Sequence, residues 1–543
     1  MIFLTAYLLA SSHVAPTLHH RAPRSAPRSA KAQAAPPASQ VIWTGYGGNA
    51  QHTAISNYSP LGYGTVVWSA PLDSDPPYTS GELFIHYGSV SLTAETLVMP
   101  FRDQNTWSFI ARNISSGQVL WTYLSSFKLP SSGFDWYPPV DGTLLPDASY
   151  AGPSVAGGVF VRPHTDLQSQ TVKTFYPFNI AHTSASQLQA YSQNLFVVTP
   201  ITSDASGNLY YGIRSYGAVP DGLSNCFVKM SEAGVCTIYN CAATHEPTFN
   251  AGPTLSNDGS TIYVVENVQN SSESHIIALS TATMQKTADA ILLDPSGNEL
   301  DALGEESSAS PLVGPDGDVY FGGMYGDYYR GWLTHFDKNL NPKGVEGAFG
   351  WDDTPSVVPA SAVPAYTGTS SYLICCKYNH YIEAGLPGNN MVAILDPNAS
   401  SIDPYDNVPT MAPVVEVLGV THDSRSSLTT AVREWCINSA AVDVKGKTIV
   451  LNSEDGSVYK WDLTQTSMTA NTPGCLTGTL TAHLQLTDGI GEAYTPTVIG
   501  KDGTVFAVDN ARIYAVRGPA HSINSAASLH RPKTTKSPVL TKR

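Results

Sequence analysis

The stretch "AYTPTVIGKDGTVFAV", residues 493–508, decides the fold. A small residue and Pro496 lead into the apolar pair Val498-Ile499, Asp502-Gly503 interrupts, and a second apolar run from Val505 to Val508 follows. An Asp-Gly pair between apolar runs reads as a tight hairpin turn, because glycine takes positive φ without a steric penalty. The unit is therefore strand, turn, strand. Seven relatives of it occur earlier in the chain. They begin at Tyr87 ("YGSVSLTAETLVMPF"), Tyr150 ("YAGPSVAGGVFVRP"), Val198 ("VTPITSDASGNLYYGI"), Asn250 ("NAGPTLSNDGSTIYVV"), Ala309 ("ASPLVGPDGDVYFGG"), Ala362 ("AVPAYTGTSSYLICC") and Ile437 ("INSAAVDVKGKTIVLN"). Eight units with a mean spacing of about 58 residues identify a repeat architecture.

Each unit is followed by one or two more strands, most clearly "VYKWDL" at 458 and "IYAVRG" at 513. A three- or four-stranded unit at this period is what a β-propeller blade requires, and a two-layer sandwich would not repeat one signature eight times. The expected fold is all-β: an eight-bladed β-propeller over residues 41–518, with an excursion in the long gap between 362 and 437. Composition agrees. Charged residues make up only 13% of the chain, against 44 Gly, 38 Pro and 28 Tyr, which favours short strands and turns over long surface helices.

The flanks differ in character. "IFLTAYLLA" followed by "SSHVAP" reads as a signal peptide over residues 1–15, with an organelle-targeting segment or a plain apolar N-terminus as alternatives. Residues 16–40 are a basic Pro/Ala/Ser linker and 519–543 a basic tail, both expected to be disordered. No later apolar run is long enough for a transmembrane segment, and with the signal peptide the expected location is secreted or extracytoplasmic. Nine of the 29 basic residues lie in these tails, leaving 20 against 44 acidic ones in the remainder. So acidic a body repels nucleic acid.

In a secreted chain Cys226, Cys236 and Cys241 can include one local disulfide, and Cys436 with Cys475 another. No CxxC or His-Cys spacing indicates structural zinc. Glycosylation sequons stand at Asn57, Asn113, Asn270 and Asn398.

"ARNISSGQVLW", residues 111–121, carries a second pattern. Asn113 suits a turn, Gly117 its positive φ, and Trp121 places a large apolar plate on the next strand. The spacing Ala111, Asn113, Gly117, Trp121 resembles the tryptophan-docking motif of the pyrroloquinoline quinone (PQQ) repeat family, with Asn113 where Asp is usual. The opening segment, with Trp43, Tyr46-Gly47-Gly48 and Trp68, is also similar to that of such quinoproteins. The resemblance implies the propeller fold of quinoprotein alcohol dehydrogenases, with Trp121 packed between blades. It also implies PQQ and calcium as possible cofactors, the quinone lying between a tryptophan and a disulfide of adjacent cysteines. Cys375-Cys376 are adjacent, but they lie in the apolar run "SYLICCKY", where a strand points successive side chains to opposite faces. "DPSGNELDALGE" offers Asp294, Ser296, Asn298 and Glu305 at calcium-loop offsets, yet Glu299 stands where the loop needs glycine.

Segments just before each inner strand line one mouth of a propeller channel, the natural place for function. They supply His86, Tyr87, Tyr150, His245, Glu246, Asn250, Glu305, Glu306, Asn438, Glu492 and Tyr494. Carboxylates with His and Tyr suit cation or carbohydrate binding, or acid–base work. No nucleophile elbow, phosphate loop or dinucleotide fingerprint appears. The expected function is a non-catalytic binding scaffold for a protein or carbohydrate ligand. The alternatives are a PQQ- and calcium-dependent dehydrogenase of alcohols or sugars, and a lyase-type propeller acting on polysaccharide.

Overall fold

The structure is a computed structural model that describes residues 39–518 apart from 80, 132, 133, 135, 304–306, 326–329, 383, 384, 436, 469–471, 473 and 490–493. The chain is nearly all-β, with 45% strand and 4% helix. Eight consecutive antiparallel sets of strands follow one another, covering residues 91–124, 143–175, 195–240, 245–291, 312–348, 356–418, 441–485 and 498–517. The eighth set takes its outermost strand, Thr65–Pro71, from the other end of the chain. The sixth and seventh sets join as one nine-stranded sheet, because Val415-Glu416 and Leu476-Thr477 pair in parallel.

Hydrogen bonds between the first strands, or the residues leading into them, link the eight sets in a closed circuit. Ser89 N–H donates to the Asp141 carboxylate, and the Thr143 and Ser203 hydroxyls meet at 3.4 Å. Thr202 donates to the Pro253 carbonyl at 2.6 Å, and Gly252 N–H donates to Ser310 Oγ at 2.8 Å. Ser310 N–H donates to Thr354 Oγ1 at 2.8 Å, and Ser356 Oγ donates to the Ala440 carbonyl at 2.7 Å. Ala441 N–H donates to Thr497 Oγ1 at 3.1 Å, and Thr495 Oγ1 returns to the Tyr87 carbonyl at 2.8 Å. These small polar side chains explain the Ser/Thr-rich beginnings of the repeat. They satisfy buried backbone groups where adjacent first strands are not in one ladder.

This circuit corrects two repeat registers. The first strands of the second and sixth sets are Thr143–Leu144 and Ser356–Pro359. The units beginning at Tyr150 and Ala362 therefore lie one strand too late. Tyr150–Pro153 is a second strand, and Ala360–Ala362 is a 3-10 turn. "DGTLLP" and "TPSVVP" occupy the true starting positions.

Burial follows position in the set. Second strands such as Tyr372–Tyr378 and Thr448–Ser453 are buried at every residue, covered on both faces. Outer strands alternate, as in Lys286–Ile291. Trp121, on the outer strand of the first set, reaches the second. Its indole N–H donates to the Thr165 carbonyl at 2.7 Å, and the Arg162 guanidinium lies 4.0 Å from the ring centre. From the eighth set, Trp68 reaches the first in the same manner, its indole donating to Ile114 O at 2.9 Å. Gly117 (φ +70°) has no room for a Cβ, which would lie 2.7 Å from the Trp68 ring. Asn113 Oδ1 closes the turn by accepting from Ser115 and Ser116 N–H. A feature without a forerunner in the sequence reading is the helix Ala185–Asn194, begun by a Ser184/Gln187 capping box.

The disulfide expectation is corrected among the described residues. Cys226, Cys236, Cys241, Cys375, Cys376 and Cys475 are free thiols, and Cys436 lies outside the described residues. Cys226 pairs with Asn240 and Cys236 with Met230, at opposite ends of one ladder, roughly 13 Å apart at strand rise. Burial holds the Cys226 and Cys236 thiols up, at about 12 and about 11. Of the sequons, Asn57, Asn270 and Asn398 are exposed and Asn113 is half-buried.

Candidate functional site

The residues just ahead of the first strands gather around Tyr46. This tyrosine arrives on a segment that crosses the first strands from Thr44 to Ala54. Gly47 and Gly48, both at positive φ, fold the segment tightly, since a Cβ on Gly48 would strike the Trp43 ring. The Tyr46 hydroxyl bonds the Ser308 carbonyl and Asn438 Oδ1, and it accepts from Thr354 Oγ1 at 3.1 Å. It thereby ties the entries to the fifth, sixth and seventh sets. Asp141, Asp352 and Asp353 are within electrostatic reach of it, and burial with these charges raises its pKa well above the usual phenol value.

Lys377 stands on the second strand of the sixth set and is fully buried. Its Nζ is 3.7 Å from Asp352 Oδ2 and faces the Tyr494 and Trp351 rings at 4.8 and 5.6 Å from their centres. Asp352, whose φ is +52°, also accepts from Ser308 N–H and Oγ. Asp353 accepts from Lys377 N–H at 2.7 Å, and burial raises its pKa well above the carboxylate range. Burial likewise brings Asp141 to about 7. Glu434, in reach of Lys377, is raised to about 8 by burial and by Glu454. His86 lies against Trp136 and Tyr494, ring centres 5.2 and 4.6 Å away, and burial lowers its pKa.

Several buried polar atoms here have no hydrogen-bond partner among the described residues. They are both His86 ring nitrogens, Asp141 Oδ2, Asn250 Oδ1, Asp353 Oδ1 and Glu434 Oε2. Such atoms cost ~1–3 kcal/mol each when left unmatched, so their concentration marks a place suited to an external partner. Above them Trp136, Trp351, Tyr381 and Tyr494 are half-buried, giving an aromatic rim over a polar floor. Two clefts of about 470 Å³ lie elsewhere, beside Trp107 and Tyr137 and beside Phe175 and Phe178.

Of the residues singled out in the sequence, His86 and Tyr494 touch, and Asn438 joins Tyr46. Asn250 (φ +66°) bonds the Ser307 carbonyl close by. Others go elsewhere. Tyr87 donates to Asp73, which pairs with Arg102 of the first set, and Tyr150 packs on Phe109 and Phe160. Glu246 pairs with Arg214 at 3.0 Å, and His245 with Glu266. Glu305, Glu306 and Glu492 lie outside the described residues. Asp141, Trp136, Trp351, Asp352, Asp353 and Lys377 were missed. The two register slips hid the acids, while a lone lysine in "LICCKY" was the available signal for Lys377.

The PQQ arrangement implied by the resemblance does not fit these side chains. Cys375 and Cys376 are buried in two different packing clusters on opposite faces of their strand, so they present no disulfide plate. Asp294 caps its own turn, accepting from Ser296 and Asn298 N–H.

No family model matches the chain, and the search of curated proteins gives no match. Solved structures similar to it include a europium-containing methanol dehydrogenase (10% identity, 86% of this chain, 89% of that one, TM-score 0.45). A quinohemoprotein alcohol dehydrogenase from Pseudomonas putida HK5 has 10% identity over 93% and 84% of the two chains, TM-score 0.46. The Dos1 propeller has 10% identity over 87% and 86%, TM-score 0.35. At these values the likeness carries no argument about activity.

Proposed function

We propose that residues 41–518 form an eight-bladed β-propeller, the eight sets being its blades, and that the site around Lys377 binds a carbohydrate without transforming it. The protein on this reading is a secreted or extracytoplasmic scaffold with residues 1–15 as signal peptide. The carrying observation is the set of partnerless buried polar atoms beneath an aromatic rim. Saccharides offer both complements: hydroxyls for the polar atoms and an apolar ring face for Trp136 or Tyr494. Catalysis has weaker support. A histidine base needs an orienting hydrogen bond, and neither His86 nitrogen has one among the described residues.

Titration calorimetry and tryptophan fluorescence against glucose, galactose, mannose, N-acetylglucosamine and their oligomers test this reading. Saturable binding that weakens at least tenfold in Trp136→Ala and Asp353→Asn supports it. No binding across the panel rejects it. The His86–Tyr494 contact favours one second reading, lyase chemistry on an acidic polysaccharide, which would release unsaturated, ultraviolet-absorbing products.

A further inference from the structure

The crossing segment also settles how a ligand can approach. Its backbone bonds run to residues within five first strands, each one position past the strand's start. The Thr44 carbonyl accepts from Leu144 N–H, Ala50 from Leu255, Gln51 from Val313, Thr53 from Val357 and Ala54 from Val442, at 2.7 to 3.0 Å. His52, buried beneath Tyr46, is held by the Pro311 carbonyl and by Thr254 Oγ1, both at 2.9 Å. The residues bonded by the Tyr46 hydroxyl (Ser308, Thr354 and Asn438) instead precede their first strands. The segment therefore crosses the circuit at the first strands, and Tyr46 points from it toward their leading ends, where His86, Asp353, Lys377 and Tyr494 sit.

We propose that the site is single-ended: Tyr46 is its floor, and it takes a saccharide end-on, recognising a free sugar or the terminal one or two units of a chain. This rests on the carbohydrate reading above. A polymer cannot thread past a segment bonded to five strands, nor lie through the circuit as in an open groove. Affinity is thus set by the terminal units, and a chain without ends has nothing to insert. The Tyr46 hydroxyl, already bridging three of the walls, holds the Ser308, Thr354 and Asn438 segments in place around the end of the site.

The test uses the full chain and two linear series, malto- and chito-oligosaccharides of one to six units, with cyclomaltohexaose as the endless probe. Calorimetry is expected to show affinity levelling off at two units, cyclomaltohexaose at least tenfold weaker than maltohexaose, and Tyr46→Phe at least fivefold weaker for the short ligands. Tyr46→Phe keeps the ring, and an unchanged melting temperature separates this loss from misfolding. Affinity rising steadily through six units, or cyclomaltohexaose binding as tightly as its linear counterpart, overturns end-on entry while leaving carbohydrate binding intact. Failure of both series and of the wider panel overturns both.

Discussion

Trp121 shows how one side chain serves two sheets. It belongs to the first set by sequence, yet its indole N–H, its face and its edge are used by Thr165, Arg162 and Tyr150 of the second. Trp121→Ala removes the plate and leaves Arg162 without its aromatic support, so a loss of about 3–5 kcal/mol is expected in denaturant unfolding. A shift near zero would show that the two sets are held by other contacts. His275 gives a pH signature. Hydrogen bonds that its ring nitrogens donate to Asp289 and Glu273 raise its pKa, and Asp289 is lowered to about 2 chiefly by His275. The histidine's contribution is therefore complete below its unfolded pKa of about 6.5 and is lost as pH rises through the higher folded value. The melting-temperature gap between the wild type and His275→Gln should be wider at pH 5.5 than at pH 9. The cysteines make a simpler statement: denatured, unreduced protein should alkylate at Cys226, Cys236, Cys241, Cys375, Cys376 and Cys475. A bridge among them in peptide mapping would contradict the free-thiol arrangement.

Strands and turns were legible because their signals are local. Asp258-Gly259 and Asp502-Gly503 announce hairpins, and Gly259 and Gly503 take the positive φ those turns need. First strands are harder to place. They are often two residues long, as at Thr143–Leu144 and Leu312–Val313, too short for periodicity to register. Their partners are hydroxyls, carbonyls and a carboxylate at least 44 residues away, which no local window contains. That is why two units slipped by a strand, and with them Asp141, Asp352 and Asp353. Thr354 illustrates the element-level role of these hydroxyls. It accepts from Ser310 N–H and donates to Tyr46, so it joins two sets and the crossing segment at one atom. Thr354→Val keeps the volume and removes both bonds, leaving Ser310 N–H buried without that partner. A loss of about 1–3 kcal/mol is expected, with weaker saccharide binding, because Tyr46 loses a restraint. Unchanged stability would indicate that Ser310 finds another acceptor.

At the scale of the whole chain, the N-terminal segment braces the closed circuit from within and at its seam. Residues 39–71 supply the strand Val41–Trp43 to the first set, the five backbone bonds across the first strands, and the outermost strand of the eighth. In the eighth set, Thr65–Pro71 pairs along its length with Arg512–Arg517, and Trp68 packs on Phe506. A chain beginning at Leu72 lacks all three. Its eighth set has three strands with an open outer edge along Arg512–Arg517, and the acceptors for Leu144, Leu255, Val313, Val357 and Val442 N–H are gone. Uncompensated buried donors and an unpaired edge both penalise the folded state, and at about 1–3 kcal/mol for each of five donors the loss is comparable with the ~5–15 kcal/mol that holds a typical domain together. Chain 72–543 expressed alone should therefore show no cooperative thermal transition. Co-expression with residues 39–71 as a separate peptide should restore one, because the segment's contacts with the sets are non-covalent. Recovery of a soluble, cooperatively melting 72–543 fragment without the peptide would show that the remaining sets close on their own, and that the crossing segment is an accessory to the circuit.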